Sequence, residues 1–578
     1  MARHTKIALP ILAALAASLS ACGNGSGADD GVVDSGPDDT DGADAGADGG
    51  GFGPASLDDV DVTWTPCPLY EGAEGADGGL AECATVEMPL FWDADDGRTF
   101  EVRAKRLLAQ GESTGQLWLL HGGPGASGVI DFPPWMEEIA AAHPTLDVYT
   151  LDPRGTGYSE YASCPDQEAA ASAGSTAITP EEAPACAEHL ESALGDRLSV
   201  MGTTPAAMDL AALVHHTRED GKRVLIWGGS GGTFWANRYL LMYPGGADGV
   251  ILEGIEPADG SLVFQDEYSS RIATEILTRC AGDAVCGAKL PDPVAALTAL
   301  YGELDAGHCP IGIDSLLLAQ LIDYLEYYHP FNAFIPSIVY RLERCDTGDV
   351  DAIVHLFNTL FPTDTGEALP EFSQVLFFNE VCSELWDHAS FADDEALVAY
   401  LDGVYEDDLV PTRKGYDRND VCLAWPRYED ARDDQFAATD VPLLMLEGEL
   451  DPATPRAFAA EVEARYTGPH QTFVAMPSSG HNVIGGAPTA TGDCGQELFD
   501  AFLDDPTAAL DTSCTAERLP LDFENGYGYA PYMYGTADCF ENEAAKARGK
   551  APRELEARLA EIGREISRAL GRTPSVHR

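Results

Sequence analysis

At 578 residues, with 96 Asp and Glu against 34 Lys and Arg, the chain carries a formal net charge of −62, which excludes nucleic acid as a partner. Its 45% hydrophobic content is ordinary for a globular protein, so the acidity belongs to a solvated surface and says nothing of catalysis. The length exceeds one simple core and implies a large domain carrying an insertion.

Arg3 and Lys6 precede an apolar run over residues 7–19, too short to span a bilayer, which reads as a signal-peptide core. It ends in Leu19-Ser20-Ala21-Cys22, similar to a bacterial lipobox, so residues 1–22 are expected to direct export and Cys22 to carry a lipid. Ordinary secretion without lipid is the alternative. Residues 23–58 are mostly Gly, Ala and Asp and cannot offset their ordering entropy. They are expected to form a flexible tether, with a reach on the order of 30 to 40 Å, holding the protein off a membrane.

Setting Cys22 aside leaves 13 of the 14 cysteines, in keeping with a disulfide-permissive compartment. Pairing neighbours gives Cys67–Cys83, Cys164–Cys186, Cys280–Cys286, Cys309–Cys345, Cys382–Cys422 and Cys494–Cys514, with Cys539 left over. Sequence alone leaves that connectivity open. No C-x-x-C and no H-E-x-x-H occurs, so neither a metal nor another cofactor is expected.

Short apolar runs then alternate with helical patterns, as in a mostly parallel sheet with crossover helices. Residues 116–120 (QLWLL), 146–151 and 223–227 (RVLIW) read as strands, as do 250–252, 443–446 and 472–475. Residues 206–217 and 233–242 read as helices. The alternation stops over 256–439, where long helical stretches such as 315–328 and 335–342 imply a mainly helical lid inserted between two strands; a separate domain is the alternative. The core is thus expected over 59–255 and 440–540. In the last segment, 541–578, Leu555, Leu559, Ile562, Ile566 and Leu570 line one face of an amphipathic helix. That helix reads either as docked on the acidic body or as lying on a membrane surface.

Gly228-Gly229-Ser230-Gly231-Gly232 follows a strand and precedes a helix, the context of a nucleophile elbow. A structural turn or a phosphate-type loop is the bland reading. His121-Gly122-Gly123-Pro124-Gly125 ends an earlier strand, so the backbone N–H groups of Gly123 and Gly231 are the candidate oxyanion donors. Such a donor is typically worth about 3 to 4 kcal/mol in the transition state. His121 is expected to brace that turn. In this fold acid and base follow the serine in that order, and both Asp451 and His481 lie just past strand ends. His470 precedes its strand, and His215 and His216 sit on a helix. A turn-forming Asp-Pro is the bland reading of Asp451.

Together these motifs, with Asp152–Ser159 (DPRGTGYS) and Gly448–Pro455 (GELDPATP), resemble the tripeptidyl and prolyl aminopeptidase branch of the α/β-hydrolases. The likeness spans residues 64–494 and takes in Trp64, Cys67, Val381-Cys382-Ser383-Glu384 and residues 422–426. It implies an α/β-hydrolase fold and an exported enzyme that removes residues from free peptide N-termini without a metal. By the same likeness Asp152 and Arg154 brace the pocket through charge-assisted hydrogen bonds. Two departures stand out: Gly231 replaces an aromatic residue after the nucleophile, and Glu253-Gly254 replaces Asp-Gly. An aminopeptidase needs carboxylates for the substrate ammonium, and Glu256 and Glu384 are the candidates. If neither faces the pocket, an esterase with the same triad gains ground; a non-catalytic surface binding protein is the remaining alternative.

Overall fold

The computed structural model describes residues 54–544 except 72–79, 175, 362–368 and 387–389, together with Leu559 and Gly563. The signal segment, Cys22, most of the tether and nearly all of the tail helix lie outside the described residues. The tether's last residues are part of the body, contrary to expectation. Ala55 N–H donates to the Trp92 carbonyl at 2.9 Å, His215 Nε2 meets Asp58 Oδ1 at 2.7 Å, and His216 Nε2 meets the Leu57 carbonyl at 2.9 Å.

Nine strands form one sheet: β1 (Thr65–Pro68), β2 (Leu80–Pro89), β3 (Thr99–Leu107), β4 (Gly115–Leu120), β5 (Leu146–Leu151), β6 (Arg223–Gly229), β7 (Gly249–Glu253), β8 (Leu443–Gly448) and β9 (Gln471–Met476). Their order is β1-β2-β3-β5-β4-β6-β7-β8-β9. The first three pair antiparallel, β3 also pairs antiparallel with β5, and every pairing beyond is parallel. This is an α/β-hydrolase fold. Strands β4, β7 and β8 are buried at every residue, because helices cover both faces, and this is why they read as unbroken apolar runs.

Alternate side chains feed two cores. Trp118, Leu120, Ile226 and Met445 pack with Leu210 and Leu213 of helix Thr203–Thr217 and with Trp235 and Tyr239 of helix Gly231–Met242. Leu117, Leu119, Leu225 and Leu444 pack on the opposite face with Met136 and Ile139 of helix Pro133–Ala142 and Phe499 of helix Cys494–Asp504.

Helices fill the chain between β7 and β8, and they divide into two packing groups. Helices Gln374–Glu384 and Lys414–Ala424 join Leu90, Phe100 and helix Ala183–Leu194 of the sheet body. Helices Gln265–Gly282, Pro293–Asp305, Ser315–Glu326, Ile335–Arg344 and Thr347–Leu360 build their own core. Residues 521–540, expected in the hydrolase core, instead send Phe523, Tyr534 and Phe540 into that second group, where Leu559 of the tail is also buried. The cause is Arg341, fully buried, which donates to the carbonyls of Cys539 (2.7 Å) and Glu541 (2.9 Å) and to Asn542 Oδ1 (2.7 Å).

Among the described residues six disulfides join neighbouring cysteines, and Cys539 is buried and unbridged. Six such bonds belong to an oxidising compartment outside the cytosol. Cys382–Cys422 ties the two helices of the first group across 40 residues. Replacing both cysteines by Ala is expected to lower unfolding stability by about 2 to 4 kcal/mol, measured by guanidinium titration.

Candidate active site

Strand β6 delivers Ser230 to the start of helix Gly231–Met242 with φ 56° and ψ −128°. A non-glycine residue in this region is strained and persists only when its surroundings fix it. Here Ser230 N–H donates to the Glu253 carbonyl (2.9 Å), and its own carbonyl accepts the Thr233 N–H (2.8 Å) and hydroxyl (2.6 Å). The turn is so tight that a Cβ on Gly228 would strike the Gly232 carbonyl, and one on Gly232 the Leu120 carbonyl.

The glycine turn after β4 lies against this elbow. A Cβ on Gly122 would sit 2.7 Å from Ser230 Cβ, and one on Gly231 would point at the backbone N of Pro124 (3.4 Å) and Gly123 (3.5 Å). Gly123 and Gly231 therefore face one another beside the serine. His121 stacks on Phe132 at 4.6 Å, its Nδ1 accepts the Gly122 N–H at 2.8 Å, and its Nε2 lies 3.3 Å from Asp131. Asp152 accepts Ser127 Oγ–H (2.7 Å) and the N–H groups of Val129 (3.0 Å) and Tyr158 (2.8 Å). Burial pushes its carboxyl up to about 6. Arg154 pairs in bidentate fashion with buried Asp209 at 2.7 and 2.8 Å and donates to the Pro89 and Leu90 carbonyls. The inserted segment also holds this turn, since Ser127 N–H donates to Glu371 and Ser373 N–H to Gly125.

Past β8, Asp451 is fully buried and accepts four donors. The N–H groups of Ala453 (2.8 Å) and Thr454 (3.0 Å) reach Oδ1, while the Thr454 hydroxyl (2.8 Å) and His481 Nδ1 (2.7 Å) reach Oδ2. Past β9, His481 N–H donates to the Tyr327 carbonyl at 2.7 Å, so a residue of the insertion sets the backbone of the histidine loop. Glu253 and Gly254 link this loop to the serine. The Glu253 carboxylate accepts the N–H groups of Val483 (2.7 Å) and Ile484 (2.8 Å) and Trp227 Nε1–H (3.1 Å), and Gly254 packs on the imidazole. The sequence reading noticed Glu253 only as a departure from Asp-Gly. Its extra methylene lets a strand-end carboxylate span to the histidine loop. An imidazole oriented by a buried carboxylate, joined through Glu253 and Gly254 to a serine at a helix N-terminus, is a set suited to general-base activation of a nucleophile.

The two candidate ammonium carboxylates differ. Glu256 is buried; its Oε1 has no hydrogen-bond partner among the described residues. Burial, with Asp451 and Asp259 nearby, pushes its carboxyl up to about 8. Glu384 is engaged: it accepts the Thr203 N–H at 2.9 Å and pairs with buried Arg238 at 3.4 Å, so an ammonium would share it with a guanidinium. Burial still pushes it up to about 7. One turn earlier, Glu380 lines a cavity of about 20 Å³ with His121, Gly122, Pro124, Gly231 and Trp235. Sequence reasoning missed this residue, although its i, i+4 spacing to Glu384 puts both on one helix face.

Two family models match the chain, the alpha/beta hydrolase fold over residues 117–269 and the TAP-like protein over 411–514. Ser230 falls in the first segment, Asp451 and His481 in the second. The tripeptidyl aminopeptidase of Streptomyces lividans is 22% identical over 76% of this chain and 84% of its own length. The serine protease Hip1 of Mycobacterium tuberculosis is 26% identical over 42% of this chain and 49% of its own length. Carboxylesterase B of Mycobacterium tuberculosis is 31% identical over 17% of this chain, and the match spans only 19% of that relative.

The raised Glu256 carboxyl has a sign that can be tested. Between pH 4.5 and about 8 the folded protein keeps a proton that the unfolded chain has lost, so stability falls as pH rises through that window. Glu256→Gln is therefore expected to be more stable than wild type by a margin that grows from pH 4.5 to about 8 and then levels off, read by urea unfolding at stepped pH.

Proposed function

We propose that this TAP-like α/β hydrolase is an exported serine aminopeptidase, with Ser230 as nucleophile, His481 as general base and Asp451 as the acid that orients it. His481 takes the serine proton as Oγ attacks the carbonyl, then gives it to the leaving amine. The N–H groups of Gly123 and Gly231 stabilise the oxyanion of both tetrahedral intermediates, and water releases the acyl group. The observation that carries this reading is the 2.7 Å contact of His481 Nδ1 with a buried carboxylate that is also held by Ala453 and Thr454.

Peptides with free N-termini are supported as substrates by the excess of carboxyls near this edge: buried Glu256 and Glu380, and Glu384, of which Arg238 pairs only the last. A substrate ammonium would supply the missing charge. The tripeptidyl aminopeptidase likeness over most of the chain points the same way. A carboxylesterase with the same triad is the second reading, favoured by the 31% identity to a carboxylesterase over 106 residues. We take Cys22 as the lipidated anchor and residues 23–53 as the tether to a membrane.

The test compares peptide anilides with free and N-acetylated ends. Free peptides should be cleaved faster by about 10- to 100-fold, the range set by one charged hydrogen bond. Ser230→Ala should lower turnover by about 10⁴-fold or more. Equal rates on acetylated peptides would remove the aminopeptidase and leave an acyl hydrolase with the same triad, and cleavage of simple esters alone would leave an esterase.

A further inference from the structure

A second carboxyl that the triad chemistry does not use lies behind the catalytic acid. Glu447, on β8 four residues before Asp451, is fully buried, and its side chain lies against that of Asp451. Its Oε2 accepts the Ile255 N–H at 3.0 Å, while Oε1 has no hydrogen-bond partner among the described residues.

Among the described residues the cation that acts on it is Arg456, whose charge offsets less than burial and Asp451 impose. The turn after β7 brings Glu253, committed to Val483 and Ile484, and Glu256. The acid loop brings Asp451 and, farther out, Arg456, which pairs with Glu463. The histidine loop brings His481, already bound to Asp451. Two desolvated carboxylates in contact cannot both stay ionised, so the pair holds one proton. The donor count decides where it sits. Asp451 receives four donors and Glu447 receives one, which leaves the proton on Glu447. Burial and the neighbouring Asp451 both push the Glu447 carboxyl well above its usual range.

We infer that Glu447 is a positioning residue of the triad: its Oε1–H donates a hydrogen bond to Asp451 and holds the acid, and through it the His481 imidazole, from the strand side. This rests on the reading of Ser230, His481 and Asp451 as a triad. The proton gives the orphaned oxygen a partner, and it keeps a single negative charge beside the imidazole. Strand β8 thereby becomes part of the catalytic frame rather than only its support.

The test uses the full-length protein and the rate at which a fluorophosphonate modifies Ser230, a reaction that needs the triad and no peptide recognition. Glu447→Gln can accept from Ile255 and donate to Asp451, so it should react close to the wild-type rate. Glu447→Met has similar length and no donor, and should react slower by about 10- to 100-fold; it also leaves the buried Ile255 N–H without its acceptor, so its folding is checked in parallel by urea unfolding. The infrared difference between wild type and Glu447→Gln at neutral pH should contain the carbonyl stretch of a protonated carboxylic acid. The inference is overturned if Glu447→Met reacts as fast as wild type, if Glu447→Gln slows as far as Glu447→Met, or if that band is absent. A wild-type Ser230 that does not react at all removes the triad itself, and the positioning role with it, whatever the infrared shows.

Discussion

Parallel pairing fixes where five strands end, and the site follows from it. Leu120 lies opposite Gly228, Gly229 opposite Glu253, Glu253 opposite Leu446 and Gly448 opposite Met476. The chain leaves each strand at the same edge, so the glycine turn, the elbow, Glu253–Gly254, the acid loop and the histidine loop converge there without a dedicated scaffold. A slip of one residue in any of these pairings would exchange the two faces of that strand. Trp118 and Leu119, for example, feed opposite cores.

The insertion completes this edge instead of merely covering it. Glu371 and Ser373 bond the glycine turn after β4, and the Tyr327 carbonyl holds His481. Arg279 reaches Glu449 at 3.0 Å and Ser478 Oγ at 2.9 Å, bridging the acid and histidine loops from outside. These bonds touch three loops of the candidate site, so a displaced insertion would disturb the glycine turn and the imidazole together. Buried ion pairs such as Arg154–Asp209 add specificity of arrangement more than stability, because two charges leave water to form them.

Much of this was legible in the sequence because glycine spacing and strand-end motifs obey strict sterics. Gly228 and Gly232 have no alternative where carbonyls press on them, and apolar runs such as 223–227 mark strands buried on both faces. The strands β2 and β3 escaped because their charges hide the alternation. Glu101, Arg103, Lys105 and Arg106 make β3 read as surface, yet Lys105 is fully buried, bound to Glu71 and the Leu69 and Val129 carbonyls. Segment 521–540 escaped because its partner, Arg341, lies nearly 200 residues away in the chain. Glu253, Glu380 and Glu447 could not be separated from 96 acidic residues without knowing which are buried.

The six disulfides have a consequence for how the protein is made. The pairs follow one another along the chain, never nested and never crossed, with at most 40 residues between partners. An oxidant that joins cysteines in the order they emerge from a translocation pore would reach this pattern with no later reshuffling. Such a process counts thiols, so it needs Cys22 withdrawn before Cys67 arrives. A free thiol at Cys22 would move every bond one place along the chain and pair Cys514 with Cys539. A lipid on that sulfur would set the count right and leave Cys539 without a partner.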